Sequence, residues 1–447
     1  MAKNPVASGE IVIPSSVIFD NNGSPVDLRV IAIGESAFES NSLIKSVKIP
    51  DTVEVIENYA FDECDNLASV DFGSSITSIG DCAFRNCSSL AEIDLSPSVE
   101  SVGKFGFGYC GNLKRAYIGE SLKVISYAMF ANNFELEHVN IPETVTEIGV
   151  SAFSDCWSLQ ELNLPEGLKS IRVSAIYRCK SLKEIIIPST VTGIGMSNFW
   201  KCDNLRKVMS LTPQPLAIDE GNFSQSPNEI LVVPEGLKDA YMEMEGWNKF
   251  GKILEIMAPE SLIDGVAYTR PDNETVTVAY ISSTIGENVT IPANIEIGGV
   301  NYDVAGIGLN AAVMNDDITS LSISAEGNDD AAYVIGENSF ANCTGISHVS
   351  CGYIVPPVAS DNSFATEVYE NATITVPDSD AYRNAAACWG RFKNYAVTGA
   401  VNELVTDIDE WGDEVYTLSG LKVNKDNLSP GIYIRKTSNG FVKVIVR

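Results

Sequence analysis

Ten cysteines and two histidines are the side chains of this 447-residue sequence whose types invite thiol, metal or acid–base chemistry. An even cysteine count can signal disulfides, and close Cys/His spacing can signal zinc. Position argues against both. Cys64, Cys87, Cys110, Cys156, Cys179, Cys202 and Cys343 recur at one place of a repeating pattern, which Asn41 and Asn133 also occupy. A slot that accepts Cys or Asn faces an interior, where a small side chain bonds the backbone of a turn. Stacked repeats bring such residues close but with parallel Cβ vectors, which is poor disulfide geometry, so buried free thiols are favoured over a disulfide ladder. Cys82, Cys351 and Cys388 lie off this pattern and stay open. No CxxC pair exists, and His138 and His348 sit at one slot of different repeats, so they are not a pair. None of G-x-S-x-G, G-x-x-x-x-G-K-[ST] or H-E-x-x-H is present. GKFGFG (103–108) imitates a glycine-rich loop but falls inside the repeat. The reading is no enzyme, no metal and no cofactor.

The element that must position these residues is the repeat itself. Ile33, Ile56, Ile79, Val102, Ile125, Ile148, Ile171 and Ile194 follow one another every 23 residues, without insertion. Five residues after each come Phe38, Phe61, Phe84, Phe107, Phe130, Phe153, Ile176 and Phe199. The cysteine slot is at +8, and +11, +14 and +16 are apolar, as in Leu182, Ile185 and Ile187. The last two alternate with the residue between them, the pattern of a short strand. Eight such strands stacked in register predict a parallel sheet on one face. The A-F-x-x-C section is too short for a long helix and reads as one helical or 3₁₀ turn. Stacked phenylalanines at +5 predict an aromatic spine. A fixed period in the twenties with this Leu/Ile/Asn-or-Cys pattern is the signature of a leucine-rich repeat solenoid.

Motifs such as IGDCAFRNCSSLAEIDL (79–95) and IGVSAFSDCWSLQELNLPEGL (148–168) resemble BspA-like leucine-rich repeats, found on surface proteins of Bacteroidetes and other bacteria. The resemblance extends over roughly residues 10–397 by the repeat logic. It implies a β-rich α/β chain wound as a right-handed solenoid, secreted or at the cell surface, engaged in adhesion or ligand binding.

Three modules are expected. Residues 1–257 hold the eight rungs (33–210), entered by two strands within 10–32 around a turn at Asn22-Gly23-Ser24-Pro25. Residues 211–256 and the end of the second module repeat one order of features. These are P-x-P (213–215) and Pro356-Pro357, ILVVP (230–234) and TITVP (373–377), Tyr241 and Tyr382, Trp247 and Trp389. Both read as C-terminal caps with an amphipathic helix. Residues 258–399 form the shorter second module, where 289–308 repeats the logic of 10–34 and rungs are led by Ile307 and Ile335. In 400–447 the segments 415–423, 431–437 and 440–447 read as three strands. This tail resembles a type IX secretion C-terminal sorting domain; a plain small β module is the alternative.

A net charge of −29 repels nucleic acid and anionic membranes as partners. No apolar run of 18 residues exists to span a bilayer, and the MAKNPVASGEIVIP start has no apolar segment of a signal peptide. Acidic pairs Asp316-Asp317 and Asp329-Asp330 leave calcium open. Function in a solenoid lies on the strand face, whose outward slots are +12, +13 and +15. There Lys114, Arg115 and Tyr117 make a basic-aromatic cluster of the types enriched at binding hot spots, followed by His138 and Asn140. Ile186 and Met209 place apolar side chains where a solvated face prefers polar ones. The leading reading is an exported adhesin or ligand-binding protein whose partner is a host or neighbouring-cell protein or a glycan. A scaffold making homotypic contacts comes second, and a surface glycan hydrolase, which needs a close carboxylate pair, a distant third.

Overall fold

The computed structural model describes residues 7–397 apart from 22–23, 224–228, 273, 283–284, 314, 326–332 and 386–387, and the backbone of 415–417, 422–423, 431–437 and 440–446. The chain divides into two compact units, Met1–Ala258 and Pro259–Arg447.

In the first unit each rung has three sides. On the strand side, Arg115–Tyr117 pairs in parallel with Glu92–Asp94 before it and His138–Asn140 after it, every residue meeting its equivalent 23 positions away. Inward residues such as Val47, Ile93, Ala116 and Ile185 are buried. The eight-strand sheet expected from the repeat is broken into shorter ones, Gly9–Val12 to Ser69–Asp71, Glu92–Asp94 to His138–Asn140, and Glu184–Ile187 to Lys252–Ile256. Just past the strands the bonding differs between rungs. Ile49 and Leu95 donate their N–H to the backbone of the next rung, but Ile118 donates to Asn140 Oδ1 at 2.6 Å instead. A short polar side chain there takes the place of a ladder carbonyl while Arg115–Tyr117 and His138–Asn140 stay in register.

The second side was not anticipated. The residue before each leading Ile and that Ile itself form two-residue strands, Ala32–Ile33, Val55–Ile56, Ser78–Ile79 and Ser101–Val102 in one ladder and Val124–Ile125 to Gly193–Ile194 in another. The third side corrects the expected helical or 3₁₀ turn. Each rung has two non-glycine residues in the left-handed region, at +3 and +7, such as Ser36 and Ser40 (φ 53° and 55°) or Asn132 (φ 61°). That conformation costs an L-residue about 1 kcal/mol. It is held because it turns alternate N–H groups along the stack. Ser36, Phe38 and Ser40 donate to Asn58, Ala60 and Asp62 of the next rung at 3.0, 2.8 and 2.7 Å. The intervening Ala37 and Glu39 donate within their own turn at 3.2 and 3.3 Å.

The aromatic spine is present. Ring centroids of Phe38, Phe61, Phe84, Phe107, Phe130 and Phe153 follow at 4.9, 5.1, 5.3, 6.1 and 5.6 Å, nearly parallel. Ile176 interrupts it, and Phe199 and Phe223 resume it at 5.0 Å before Trp247 closes the end. The cap consists of Ile230–Pro234, a helix Lys238–Glu243 and the strand Lys252–Ile256. Tyr241 Oη lies 2.7 Å from Ser210 Oγ and 2.8 Å from Thr212 Oγ1, and Trp247 Nε1 donates to Leu216 O at 2.8 Å.

The second unit repeats this plan. Rungs led by Ile307 and Ile335 are followed by Thr373–Val376, Ser379–Arg383 and Asn394–Val397, with Trp389 Nε1 donating to Pro357 O at 2.6 Å as Trp247 does in the first. In the tail the segment 415–423, expected as one strand, is two. Val415–Thr417 pairs antiparallel with Lys422–Val423 and with Gly431–Thr437, which pairs with Gly440–Val446.

Phe153 is fully buried between Phe130 and the Ile176 gap. Phe153→Ala is expected to lower unfolding free energy by about 3–5 kcal/mol, measured by urea denaturation. Ile176→Leu, which conserves volume, should cost less than about 1.5 kcal/mol.

Candidate binding face

The residues that invited thiol chemistry are buried. All ten cysteines are free, and those of the +8 slot perform one structural task. The thiols of Cys64, Cys87, Cys110, Cys156, Cys179 and Cys202 donate to the carbonyl 26 residues earlier, that of the +5 residue one rung back, at 3.1–3.3 Å. Asn133 does the same with its amide, donating to Phe107 O at 3.0 Å while its Oδ1 accepts from Cys110 N at 2.7 Å. Burial pushes the Cys64 thiol up to about 11 and that of Cys110 to about 12, and those of Cys87 and Cys179 also rise well above the usual value. Thiols so placed are poor nucleophiles and poor ligands. Among the described residues no group of three His, Cys, Asp or Glu is arranged to hold a metal ion. Asp329-Asp330 lies outside the described residues.

The side chains that meet solvent are the outward columns of the strand side. Lys114, Arg115 and Tyr117 are all exposed, on three of the four positions 114–117, with Ala116 turned into the core. The register places Arg115 between Glu92 and His138, and Tyr117 between Asp94 and Asn140. His138 Nδ1 lies 3.5 Å from Glu161 Oε1 in the next rung. The cluster is thus a cationic and aromatic patch flanked on one side by Glu92 and Asp94. Nearer the start, Lys48 and Asp71 pair at 3.1 Å beside a shallow depression of about 380 Å³ lined by Phe72, Asp94 and Pro97 among others.

Three candidates change meaning. Asn140 is exposed, but its amide is engaged with Ile118, accepting from N and donating to O at 2.6 and 3.4 Å, so it ties one rung to the next. Met209 is 1% exposed and Ile186 only half-buried, so the apolar outward residues do not form an open sticky patch. Glu184 and Lys207, in the outward +13 slot of the last two rungs, are buried and paired at 2.6 Å. The face is open over the middle rungs and closed at the last two. An apolar residue in an outward slot marked burial there, because a solvated position exerts no pressure for Met.

A family model for BspA-type leucine-rich repeat regions matches residues 31–158 and again 129–243. Over these residues the chain is a BspA-type leucine-rich repeat region. Among solved structures, a leucine-rich repeat protein from Bacteroides ovatus is 23% identical over 77% of this chain and 87% of its own, with a TM-score of 0.40. One from Bacteroides capillosus is 34% identical over 24% of this chain and 75% of its own, with a TM-score of 0.22. A leucine rich cell surface protein from Faecalibacterium prausnitzii is 22% identical over 88% of both chains, with a TM-score of 0.33. No curated protein matches the chain. No described helix is long and apolar enough to cross a membrane.

Two outcomes follow. The folded-state thiols of Cys64 and Cys110 titrate above the usual value of 9, so their neutral form stabilises the fold below pH 9 and that stability is lost between pH 9 and about 12. Each such thiol removes up to about 1.4 kcal/mol per pH unit. Urea midpoints at pH 8 and pH 10.5 check this, and a thiol reagent at pH 8 should label none of the ladder cysteines before unfolding. On the strand side, Lys207→Ala leaves Glu184 without its ammonium partner and is expected to cost about 3–5 kcal/mol. Arg115→Ala should stay within about 0.5 kcal/mol of the parent, which makes it a clean probe of binding.

Proposed function

We propose that this BspA-type repeat protein acts at the cell surface as an adhesin or ligand-binding protein, and that its partner is an extracellular or surface protein that docks on the open strand face of the first unit. In this reading residues 1–257 present the face, 258–399 are a second repeat module, and 400–447 serve export or attachment. The observation that carries it is the exposed Lys114, Arg115 and Tyr117 cluster, in which Arg and Tyr are hot-spot residue types and Lys adds charge, on a rigid parallel sheet within a chain of net charge −29. A rigid sheet holds these side chains without the ordering cost that a loop would add on binding. Basic groups in an acidic chain draw an acidic patch of a partner to one place and orient it, the usual contribution of electrostatic complementarity. The family match supports a protein-binding role, and the surface location of the Faecalibacterium relative supports the compartment.

The test is a binding screen of the intact protein against extracellular-matrix and surface proteins, with a glycan array in parallel. Lys114→Ala, Arg115→Ala and Tyr117→Ala combined should weaken a protein hit at least about tenfold, equivalent to about 1.4 kcal/mol, with an unchanged melting curve. A hit that survives the triple variant removes the site from this face. Silence throughout, together with concentration-dependent sedimentation, would replace the reading with a self-associating scaffold.

A further inference from the structure

Each unit begins with the same entry device. In the first, Gly9–Val12 pairs in parallel with Ile44–Lys48 and the chain then makes an antiparallel hairpin, Ser16–Asn21 with Ser24–Arg29. In the second, Asn288–Ile291 pairs in parallel with Ser320–Ile323 and the hairpin is Asn294–Ile297 with Val300–Ile307. The hairpin is tied at its base by Val30 N–H to Ser15 O at 2.9 Å, and by Val304 N–H to Ala293 O at 2.8 Å. Both lead into a first rung whose +3 residue, Ser36 or Asn310, has φ 53°.

The two differ in what lies on the outer edge. In the second unit the strand Thr275–Ile281 adds in parallel to Val300–Ile307, aligning Thr275 with Asp303, Val276 with Val304 and Val278 with Ile307. Gly308 N–H donates to Val278 O and Ile281 N–H to Ala311 O, both at 2.7 Å. Beneath this strand Tyr302 is 8% exposed and Ala311 and Ala312 are fully buried. In the first unit the corresponding strand, Ala32–Ile33, ends its sheet and is paired only with Val55–Ile56 among the described residues. Leu28, at the place of Tyr302, is 46% exposed, and Ala37, at the place of Ala311, is exposed. Val17 faces Leu28 and Phe19 faces Val26, so one side of the hairpin carries four exposed apolar residues.

We propose that this open end of the first unit accepts an extended strand from another protein, added in parallel along Arg29–Ile33 as Thr275–Val278 is added along Asp303–Ile307. The second unit supplies the chemistry of the occupant. Its strand alternates β-branched residues, Val276 and Val278, with polar ones, and its carbonyl and amide reach the groups equivalent to Gly34 N–H and Ala37 O. Such strand addition takes affinity from main-chain bonds and specificity from alternate side chains. Around the open end Asp20, Asp27, Glu35 and Glu39 are exposed, and Arg29 lies 3.3 Å from Glu54. The occupant's alternate polar positions are therefore lysine or arginine, and a second copy of this chain, at −29, is repelled.

The test uses the full chain and a fluorescein-labelled peptide of residues 272–282 carrying Asp272→Asn, Glu274→Gln, Thr275→Lys and Thr277→Lys, the last two at the positions that alternate with Val276 and Val278. A Cβ at Gly34 meets nothing within 4 Å, so Gly34→Ile folds, whereas the same atom at Gly80 or Gly103 would lie 2.5 or 2.4 Å from the preceding rung's backbone. The added side chain thus fills the space that the occupant needs. Anisotropy should report saturable binding that is at least about tenfold weaker with Gly34→Ile and with Leu28→Lys, whose melting curves match the parent. A peptide with Val276→Asp and Val278→Asp should not bind. Hydrogen exchange at the Gly34 amide should slow when the first peptide is present. Absent binding, or binding indifferent to both protein variants, overturns the proposal. Dimers in sedimentation without peptide that Gly34→Ile abolishes would assign the end to a second copy and overturn the occupant named here.

Discussion

Everything in the repeat units depends on one bond between rungs. A side chain at +8 donates to the carbonyl at +5 of the rung before, whether through a thiol, as at Cys87 and Cys156, or an amide, as at Asn133. The carbonyl it satisfies belongs to the residue whose ring forms the spine, in a turn that would otherwise leave a buried acceptor unpaired at a cost of about 1–3 kcal/mol. The same turn holds two left-handed residues in place. Polar satisfaction, backbone conformation and ring stacking are therefore fixed together, and the bond persists in the second unit, where Cys343 donates to Ala312 O at 3.1 Å across a longer step.

A strict register makes each residue the neighbour of its own equivalent, and this constrains charge as well as packing. Ion pairs form at that spacing between successive rungs. Asp62 meets Arg85 at 2.6 Å, Lys48 meets Asp71 at 3.1 Å, Asp155 meets Arg178 at 2.9 Å and Glu184 meets Lys207 at 2.6 Å. Like charges facing across a ladder destabilise it, so an acid in one rung is often followed by a base at the same slot in the next. The acidity of the chain is thereby carried largely elsewhere, and small basic clusters such as Lys114 with Arg115 are permitted where Glu92 and Glu137 flank them.

What the sequence disclosed is what recurs in residue type. The spine, the inward strand positions, the thiol slot and the paired caps were legible because each places one chemical class at one phase of the period. The left-handed turns were not, because Tyr59, Phe105, Arg178 and Lys201 stand there beside Ser and Asn, and no propensity marks them. The leading dipeptide strands were too short to alternate visibly. Asn140 read as a ligand group because its bond to Ile118 depends on a neighbour in another rung. Met209 was misread for a related reason. Its slot is an outward one, and whether an outward slot is dry is decided by what covers it, which no local pattern records.

The ends of a solenoid obey different rules from its middle. Inside, a rung is satisfied by its copies, so outward residues are free to vary and a binding face can be rewritten without disturbing the core. At an end half of those partners are missing, and the chain must supply a substitute. It does so at the C-terminal end of both units with the same Tyr–Trp–Phe cap, Tyr241, Trp247 and Phe250 in one and Tyr382, Trp389 and Phe392 in the other. At the entry it uses one hairpin twice, but among the described residues lays a further strand over it only in the second unit. Among the described residues the first unit's entry thus keeps unspent main-chain hydrogen bonds within 29–37, which makes that edge, and not the sequence-variable face alone, a place where this architecture can engage another chain.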